Sequence, residues 1–506
     1  MKKSTTVVVL VLFALGGMAL RFAASGDRYL WNDEAETTIN ALQVLDVGYP
    51  NSTFEGKPIY ENASYIPSDD PKYAYESTNY YGSTYERNKG WLTYYYQAAF
   101  LKVFGFSTFN ARLPFVLLFP AVLFVLYVLG KRLFNEKVAL IASFILSVDW
   151  YSVMFTRQAR YYALVVLLAL LCLYAFYRAV TERRWRFYLL SALGLTLLFY
   201  THIVASIAVG IFFILVHVYH SGGVRILATP KVLATVFIPV LLAIPWLVLV
   251  EFWTVFDTFS GTTTNVVWLF VIAIVVFAYF FVKYFMPQLV RFNLYRFSSV
   301  NYLILFTLTI FTLKPIVTPG ESHGYRIFLE LNAVMCLLFA CWLYNFIKQR
   351  AWTYRRWRLA NAAVPLLVLL VSFFGIVGFT SGVGDTKIYD TDWVRAAIVY
   401  LDERHIPKDA EILVTDQQMP FMLYSDYNVD LVWPIRKSYL DGHSGGLYFI
   451  FHYQVLHMTR FYREEVLQQI GSWDRLTFYD KLQACEPAEI YPDTYFYDCA
   501  EAGLTP

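Results

Sequence analysis

Just after the first apolar stretch the chain reads Trp31-Asn32-Asp33-Glu34-Ala35-Glu36-Thr37-Thr38, three acids in four residues. A sugar hydroxyl or a Ser/Thr acceptor is a poor nucleophile at neutral pH, and a carboxylate within hydrogen-bond reach can take its proton during attack. Asp33 is the leading candidate for that base, with Glu34 beside it as a second catalytic acid. The same acids would also suit the first turn of a helix beginning near Ala35, where the macrodipole favours negative charge.

Cations make up the other half of the pattern. Arg157 and Arg160 stand in Thr156-Arg157-Gln158-Ala159-Arg160-Tyr161-Tyr162, and a spacing of three on a helix would point both the same way, as a fork for an anion. Snorkelling of two arginines at a helix end is the plainer alternative. Lys89 in Asn88-Lys89-Gly90-Trp91 and Arg326 in His323-Gly324-Tyr325-Arg326 complete a set of four cations. A departing lipid phosphate gathers negative charge, and preplaced cations stabilise it. Asp149 is a further acidic candidate, and His202 in Tyr200-Thr201-His202 is a titratable group at a helix end.

The elements that position these residues follow from composition. The 506 residues are 58% hydrophobic and 16% charged, more apolar than soluble domains. Lipid must solvate much of the surface. A net charge of +3 is too small to imply a nucleic-acid partner. Runs long enough to cross about 30 Å of hydrocarbon fall near 5–23, 112–133, 138–156, 161–179, 186–202, 203–219, 231–250, 264–285, 299–313, 326–346 and 362–380. The expected fold is therefore an α-helical polytopic membrane protein of about eleven helices. The first run is kept as an uncleaved span.

With the N-terminus in the cytoplasm, the inner loops collect Lys131, Arg132, Lys137, Arg178, Arg183, Arg184, Arg186, Arg225 and Lys231, as the positive-inside bias requires. Arg157, Arg160, Lys314 and Arg326 fall on the other side, against that bias, and such exceptions tend to carry function. Two parts are expected outside the bilayer: a long polar loop at about 24–111 and a C-terminal α/β domain at 381–506, leaving 1–380 as the membrane domain. The tail shows helical spacing over Trp393–Arg404 and Tyr462–Ile470, and strands at Glu411–Thr415 and Leu447–His452. An odd number of spans places it outside the cytoplasm.

Of the five cysteines, three lie in apolar runs, whereas Cys485 and Cys499 lie in this polar tail and could pair as a disulfide. Asn51-Ser52-Thr53 and Asn62-Ala63-Ser64 match the glycosylation sequon, a short pattern that chance also produces. No metal-ligand spacing stands out; His452 and His457 lack companion cysteines.

Taken together, these motifs resemble the GT-C membrane glycosyltransferases, in the branch of the protein O-mannosyltransferases and the lipid A aminoarabinose transferases. The likeness runs through Asp33-Glu34, the lysine turn before Leu92-Thr93-Tyr94-Tyr95-Tyr96, Ala111-Arg112-Leu113-Pro114, Arg157 to Leu164, Tyr200 to Ile203 and Tyr325-Arg326. It implies inverting transfer of one sugar from a polyprenyl-phosphate donor to a protein, lipid or glycan acceptor at the outer face of the cytoplasmic membrane. It further implies that Asp33 serves as base or positions the acceptor, that Lys89, Arg157, Arg160 and Arg326 hold the donor phosphate, and that Tyr161, His202 and Tyr325 contact substrate. No metal or other cofactor is expected, although an acidic pair beside a phosphate could hold a divalent ion. Where relatives often have Pro-Pro after the lysine or histidine of the turn, this chain has Gly90-Trp91. An oligosaccharide ligase or polymerase would use similar donors but would concentrate its arginines in a late loop. A transporter would show mid-span ionisable residues and two related halves.

Overall fold

The computed structural model describes residues 3–23, 25–51, 53–55, 57–59, 85–86, 89–221, 223–252, 298–317, 329–348, 391–414, 417–431, 447–452, 486–492 and 494–498. The expected spans at 264–285 and 362–380, the helix at 462–470, Tyr325, Arg326, Cys485, Cys499, His457 and the sequon at 62–64 lie outside these residues.

The helical part runs α1 Lys3–Phe22, α2 Asn32–Val47, α3 Leu92–Phe104, α4 Thr108–Leu117, α5 Phe119–Leu133, α6 Glu136–Val148, α7 Trp150–Thr156, α8 Tyr162–Glu182, α9 Trp185–Phe199, α10 Ile203–Ser221, α11 Pro230–Leu249, α12 Ser299–Val317 and α13 Leu329–Lys348. Among the described residues, five helical segments are long and apolar enough to cross a membrane: 4–22, 108–133, 162–182, 203–221 and 230–249. The pair α6 and α7 would make a sixth, bent by 62° at its break. Helices α9, α12 and α13 contain shorter apolar stretches of the same character. The apolar stretch at 186–219 is two helices, divided at Tyr200-Thr201-His202.

Where the helices stop is legible in their caps. Asn135 accepts from the amides of Lys137 and Val138, both at 3.0 Å, and starts α6. Asp149 closes α6 and accepts from the Ser152 amide at 2.8 Å, so one side chain ends one helix and begins the next. Arg21, fully buried near the end of α1, pins this bend. Its guanidinium donates to Thr156 Oγ1 and Ser152 Oγ, both at 2.7 Å, and to the carbonyls of Gly17 at 2.8 Å and Ser147 at 3.2 Å. A buried arginine is tolerated because its donors are met.

The described residues between α1 and α4 form defined elements. They comprise α2, a small antiparallel pair, β1 Thr53–Phe54 with β2 Lys57–Pro58, and then α3. Gly48, at φ 88°, ends α2 in the left-handed conformation that glycine adopts without steric cost.

After α13 the described chain resumes with α14 Asp392–Glu403, β3 Glu411–Val414, α15 Gln418–Tyr424, β4 Asn428–Leu431, β5 Leu447–His452, β6 Glu486–Tyr491 and β7 Thr494–Asp498. The sheet order is β4-β3-β5-β7-β6, with β3 parallel to β4 and β5 and the remaining pairs antiparallel. All four residues of β3 are buried, as a parallel strand covered on both faces should be. Trp393, Val394, Ala397 and Leu401 of α14 form one apolar face and pack on Ile412, Val414, Val429, Ile450 and Phe496.

This sheet unit is fastened to the loop after α1. Tyr424 stacks on Tyr29 with ring centroids 3.9 Å apart, accepts from the Leu30 amide at 3.1 Å and shares a 2.7 Å hydrogen bond with Thr108. Burial pushes the Tyr424 phenol up to about 12. A phenol raised in the folded chain contributes stability that is complete below the unfolded value of about 10 and is lost as pH rises through the folded one. Raising the pH from 10 to 12 is therefore expected to remove about 2–3 kcal/mol from this contact. Thermal unfolding of the native chain and of Tyr424→Phe across that range should converge as pH rises; a constant gap would contradict the assignment.

Candidate active site

Four charged side chains meet where the start of α2, the turn after α7 and the turn before α3 come together. Asp33 and Glu36 lie one helical turn apart, so they share a face of α2. Arg160 reaches both: Nη2 donates to Asp33 Oδ2 at 2.7 Å and Nη1 to Glu36 Oε2 at 2.8 Å. Nη1 also lies 2.9 Å from the Asp33 carbonyl and 3.2 Å from Thr37 Oγ1. Lys89 approaches Glu36 from the other side, donating to Oε1 at 2.6 Å and also to Oε2. Glu36 is thus the bridge between the two cations.

Burial differs across the cluster. The side chains of Glu36 and Arg160 are 0% and 2% exposed, whereas Asp33 retains 11% and Lys89 27%. The two groups that could meet a substrate are the ones that reach the surface. Burial works against the Arg160 cation, yet Asp33 and Glu36 outweigh it and leave the guanidinium well above its ordinary value.

A second ion pair holds the frame. Arg112 of α4 grips Glu34 with two parallel bonds, Nε to Oε1 at 2.8 Å and Nη2 to Oε2 at 2.5 Å. Its remaining donor reaches the carbonyls of Ser25 at 2.8 Å and Arg28 at 3.2 Å. Glu34 Oε1 also accepts from the Ala159 amide at 2.7 Å, one residue before Arg160. The geometry therefore gives Glu34 a task other than the catalytic one expected: both oxygens are taken, and the residue ties α2 to the turn that carries Arg160.

Two other expectations change. Arg157 and Arg160 do not form a fork on one helix, because α7 ends at Thr156 and residues 157–161 form a turn. Arg160 turns inward to Asp33, while Arg157 lies partly exposed with its Nη1 3.5 Å from the Ala23 carbonyl. Asp149 stands apart from the acids of α2. It caps α7 and accepts from Asn332 Nδ2 at 2.8 Å, a helix-joining role.

The turn at Lys89 rests on Tyr200. The Leu92 amide donates to the Tyr200 carbonyl at 2.7 Å, and a Cβ at Gly90 would lie 2.4 Å from the Tyr200 carbonyl carbon and oxygen. Only glycine fits against that backbone, which explains Gly90-Trp91 after the lysine. Gly90→Ala must push the turn away from α9 and carry Lys89 with it. We expect a loss of about 1–3 kcal/mol in thermal stability and a fall of about tenfold or more in activity; an unchanged variant would show that the turn is free to shift. Next to this turn, His202 Nδ1 accepts from the Ala205 amide at 3.1 Å and its ring lies 4.7 Å from that of Tyr161, which in turn sits 5.2 Å from the Arg160 guanidinium carbon. Tyr161 and His202 thus border the cluster.

Sequence reading passed over three contributors. Glu36 was visible only as the third acid of a run, and Arg112 only within the Ala111-Arg112-Leu113-Pro114 motif, with no partner assigned to it. Gln417, at φ 57°, accepts from the Asn32 amide at 2.7 Å and so braces the start of α2, 385 residues away in sequence. Nothing local announces such a contact. Among the described residues no three or more His, Cys, Asp and Glu side chains cluster as metal ligands.

The whole chain aligns in three dimensions with the ArnT of Cupriavidus metallidurans, solved bound to undecaprenyl phosphate, at 14% identity and TM-score 0.55 over 100% of this chain and 99% of that one. Its apo form gives 13% identity, TM-score 0.56 and complete coverage of both chains. The archaeal oligosaccharyltransferase AglB of Archaeoglobus fulgidus, in complex with an inhibitory peptide and a dolichol-phosphate, aligns at 12% identity and TM-score 0.51 over 99% of this chain and 75% of that one. Residues 88–249 match the family described as dolichyl-phosphate-mannose-protein mannosyltransferase. This chain has the GT-C fold of the PMT and ArnT type.

Comparison of the sequence with curated proteins gives no match. Within the GT-C fold, the matched segment contains Lys89, Arg112, Arg157, Arg160, Tyr161 and His202. Asp33 and Glu36 precede it, and ion pairs join them to it. The fold expected from the motifs is borne out: a mostly helical chain with several apolar spans and a sheet-containing C-terminal region.

Proposed function

We propose that this chain transfers a single sugar from a polyprenyl-phosphate donor to an acceptor hydroxyl at the outer face of the cytoplasmic membrane, with inversion at the anomeric carbon. The observation that carries this reading is the Asp33 carboxylate, at 11% the more exposed of the two acids on a buried Arg160, with Lys89 next to it across Glu36. The acceptor oxygen bonds to the anomeric carbon as the bond to the phosphate oxygen breaks. The acceptor proton passes to Asp33, and the bonding pair leaves with the polyprenyl phosphate. Lys89 receives the developing charge, and Arg157 and Arg326 are assigned to the same phosphate.

A lipid donor suits the chemistry. Each buried methylene is worth about 0.8 kcal/mol, so the polyprenyl chain stays in the bilayer and presents its sugar at headgroup level. Orientation follows from charge: Arg132 pairs with Glu182, and Lys231 donates to the Arg183 carbonyl, gathering basic residues at the ends of α5, α8 and α11 remote from Asp33. Those ends are assigned to the cytoplasm. Residues 1–380 form the membrane domain and 381–506 an outer α/β domain.

The test is donor class. In proteoliposomes with a membrane extract as acceptor, label should leave one polyprenyl-phosphate sugar and no nucleotide sugar. Consumption of a nucleotide sugar alone would overturn the reading.

A further inference from the structure

Resting on the assignment of Lys89 to the donor phosphate, we propose that Glu36 is a latch: it holds the Lys89 ammonium in the position from which the lipid phosphate must draw it, and it takes the ammonium back when polyprenyl phosphate leaves. Three features of the geometry favour exchange at this one bond. First, the Lys89 backbone is held on both sides. Its amide donates to Glu86 Oε2 at 3.1 Å, and Gly90 is wedged against the Tyr200 carbonyl, so exchange calls for a swing of the side chain and not of the turn.

Second, Glu36 has two cations and needs to release only one. Arg160 remains on Glu36 Oε2 and is separately held by Asp33 and Thr37, so the departure of Lys89 leaves the buried carboxylate paired. A buried carboxylate stripped of every partner would be far more costly. Third, Lys89 is the exposed member of the pair, at 27% against 0% for Glu36, so an incoming anion meets the ammonium and not the guanidinium.

A phosphate and a carboxylate compete for a lysine by the same charge-assisted bonds. Removing the charge of Glu36 while keeping its shape should therefore tighten lipid-phosphate binding and slow its release. That result is the opposite of what loss of a simple scaffold residue would give.

The experiment measures equilibrium binding of undecaprenyl phosphate to the full chain in nanodiscs, together with kcat and the donor KM. Glu36→Gln is expected to bind the lipid about 5–10-fold more tightly, with donor KM and kcat both lowered. Lys89→Met should bind it about tenfold more weakly, and the double variant should match Lys89→Met alone, because the latch acts only through the lysine. Thr37→Ala loosens Arg160 without freeing Lys89 and should leave binding unchanged. If Glu36→Gln does not fold, Glu36→Asp, which keeps the charge but shortens the reach to Lys89, should tighten binding in the same sense. Equal or weaker binding by the folded Glu36 variant, with Lys89→Met still impaired, overturns the latch and leaves the donor assignment standing. Native binding that is indifferent to Lys89, or absent, overturns the donor assignment and the latch with it.

Discussion

Asp33→Asn is expected to lower sugar transfer by about 10²–10⁴-fold while leaving donor binding within a few-fold of native. The amide keeps the shape of the side chain and can still accept from Arg160 Nη2 through its oxygen, which now stands 2.7 Å away. It cannot take a proton from the acceptor. The loss should therefore appear in kcat and not in donor KM, the signature of an interaction made in the transition state. Parallel measurement of donor binding and turnover separates this from disruption of the cluster, and a variant retaining native turnover would remove Asp33 from the chemistry.

Arg160→Met should be the most damaging single change to the folded chain. Two carboxylates on one face of α2, one of them fully buried, would lose their shared cation. Breaking a buried pair by removing one partner costs about 3–5 kcal/mol, most of it the desolvated charge left behind. We expect a lower unfolding temperature in detergent and no measurable transfer. The double variant Arg160→Met with Glu36→Gln should recover part of the stability but not the activity, since the excess negative charge of the cluster is removed while Asp33 has still lost Arg160. Recovery of neither would place the damage in the packing of the 157–161 turn.

The limits of sequence reading follow from the physics of each element. Spans were legible because twenty apolar residues have few alternatives in lipid, and the ranges from 5–23 to 231–250 fall on helices, except that 138–156 is the bent pair α6 and α7. Asp33, Lys89 and Arg160 were legible as charges beside apolar runs. What could not be read was which acid meets which cation. The fork of Arg157 and Arg160 assumed a helix running through both, whereas α7 ends at Thr156 and residues 157–161 form a turn. Glu34 looks as catalytic as Asp33 until Arg112, 78 residues later, occupies both of its oxygens.

The sheet unit illustrates the same point at longer range. Two of its five strands announced themselves, in Glu411-Ile412-Leu413-Val414 and Leu447–His452, but the other three and its attachment did not. Gln417, Met419 and Tyr424 reach the start of α2 and the loop before it, so the unit braces the helix that carries Asp33. Such contacts depend on how two separate pieces meet, which hydrophobic period and local propensity do not encode.

The central claim is that the Asp33 site moves a sugar off a lipid phosphate. Its most direct test follows polyprenyl phosphate and glycosylated acceptor together, in proteoliposomes carrying either the native chain or Asp33→Asn at equal donor occupancy. The account predicts that the native chain forms the two products in equal amounts, and that Asp33→Asn binds the donor but forms neither at a comparable rate. Equal rates from both proteins, or polyprenyl phosphate formed with no glycosylated acceptor, would contradict it.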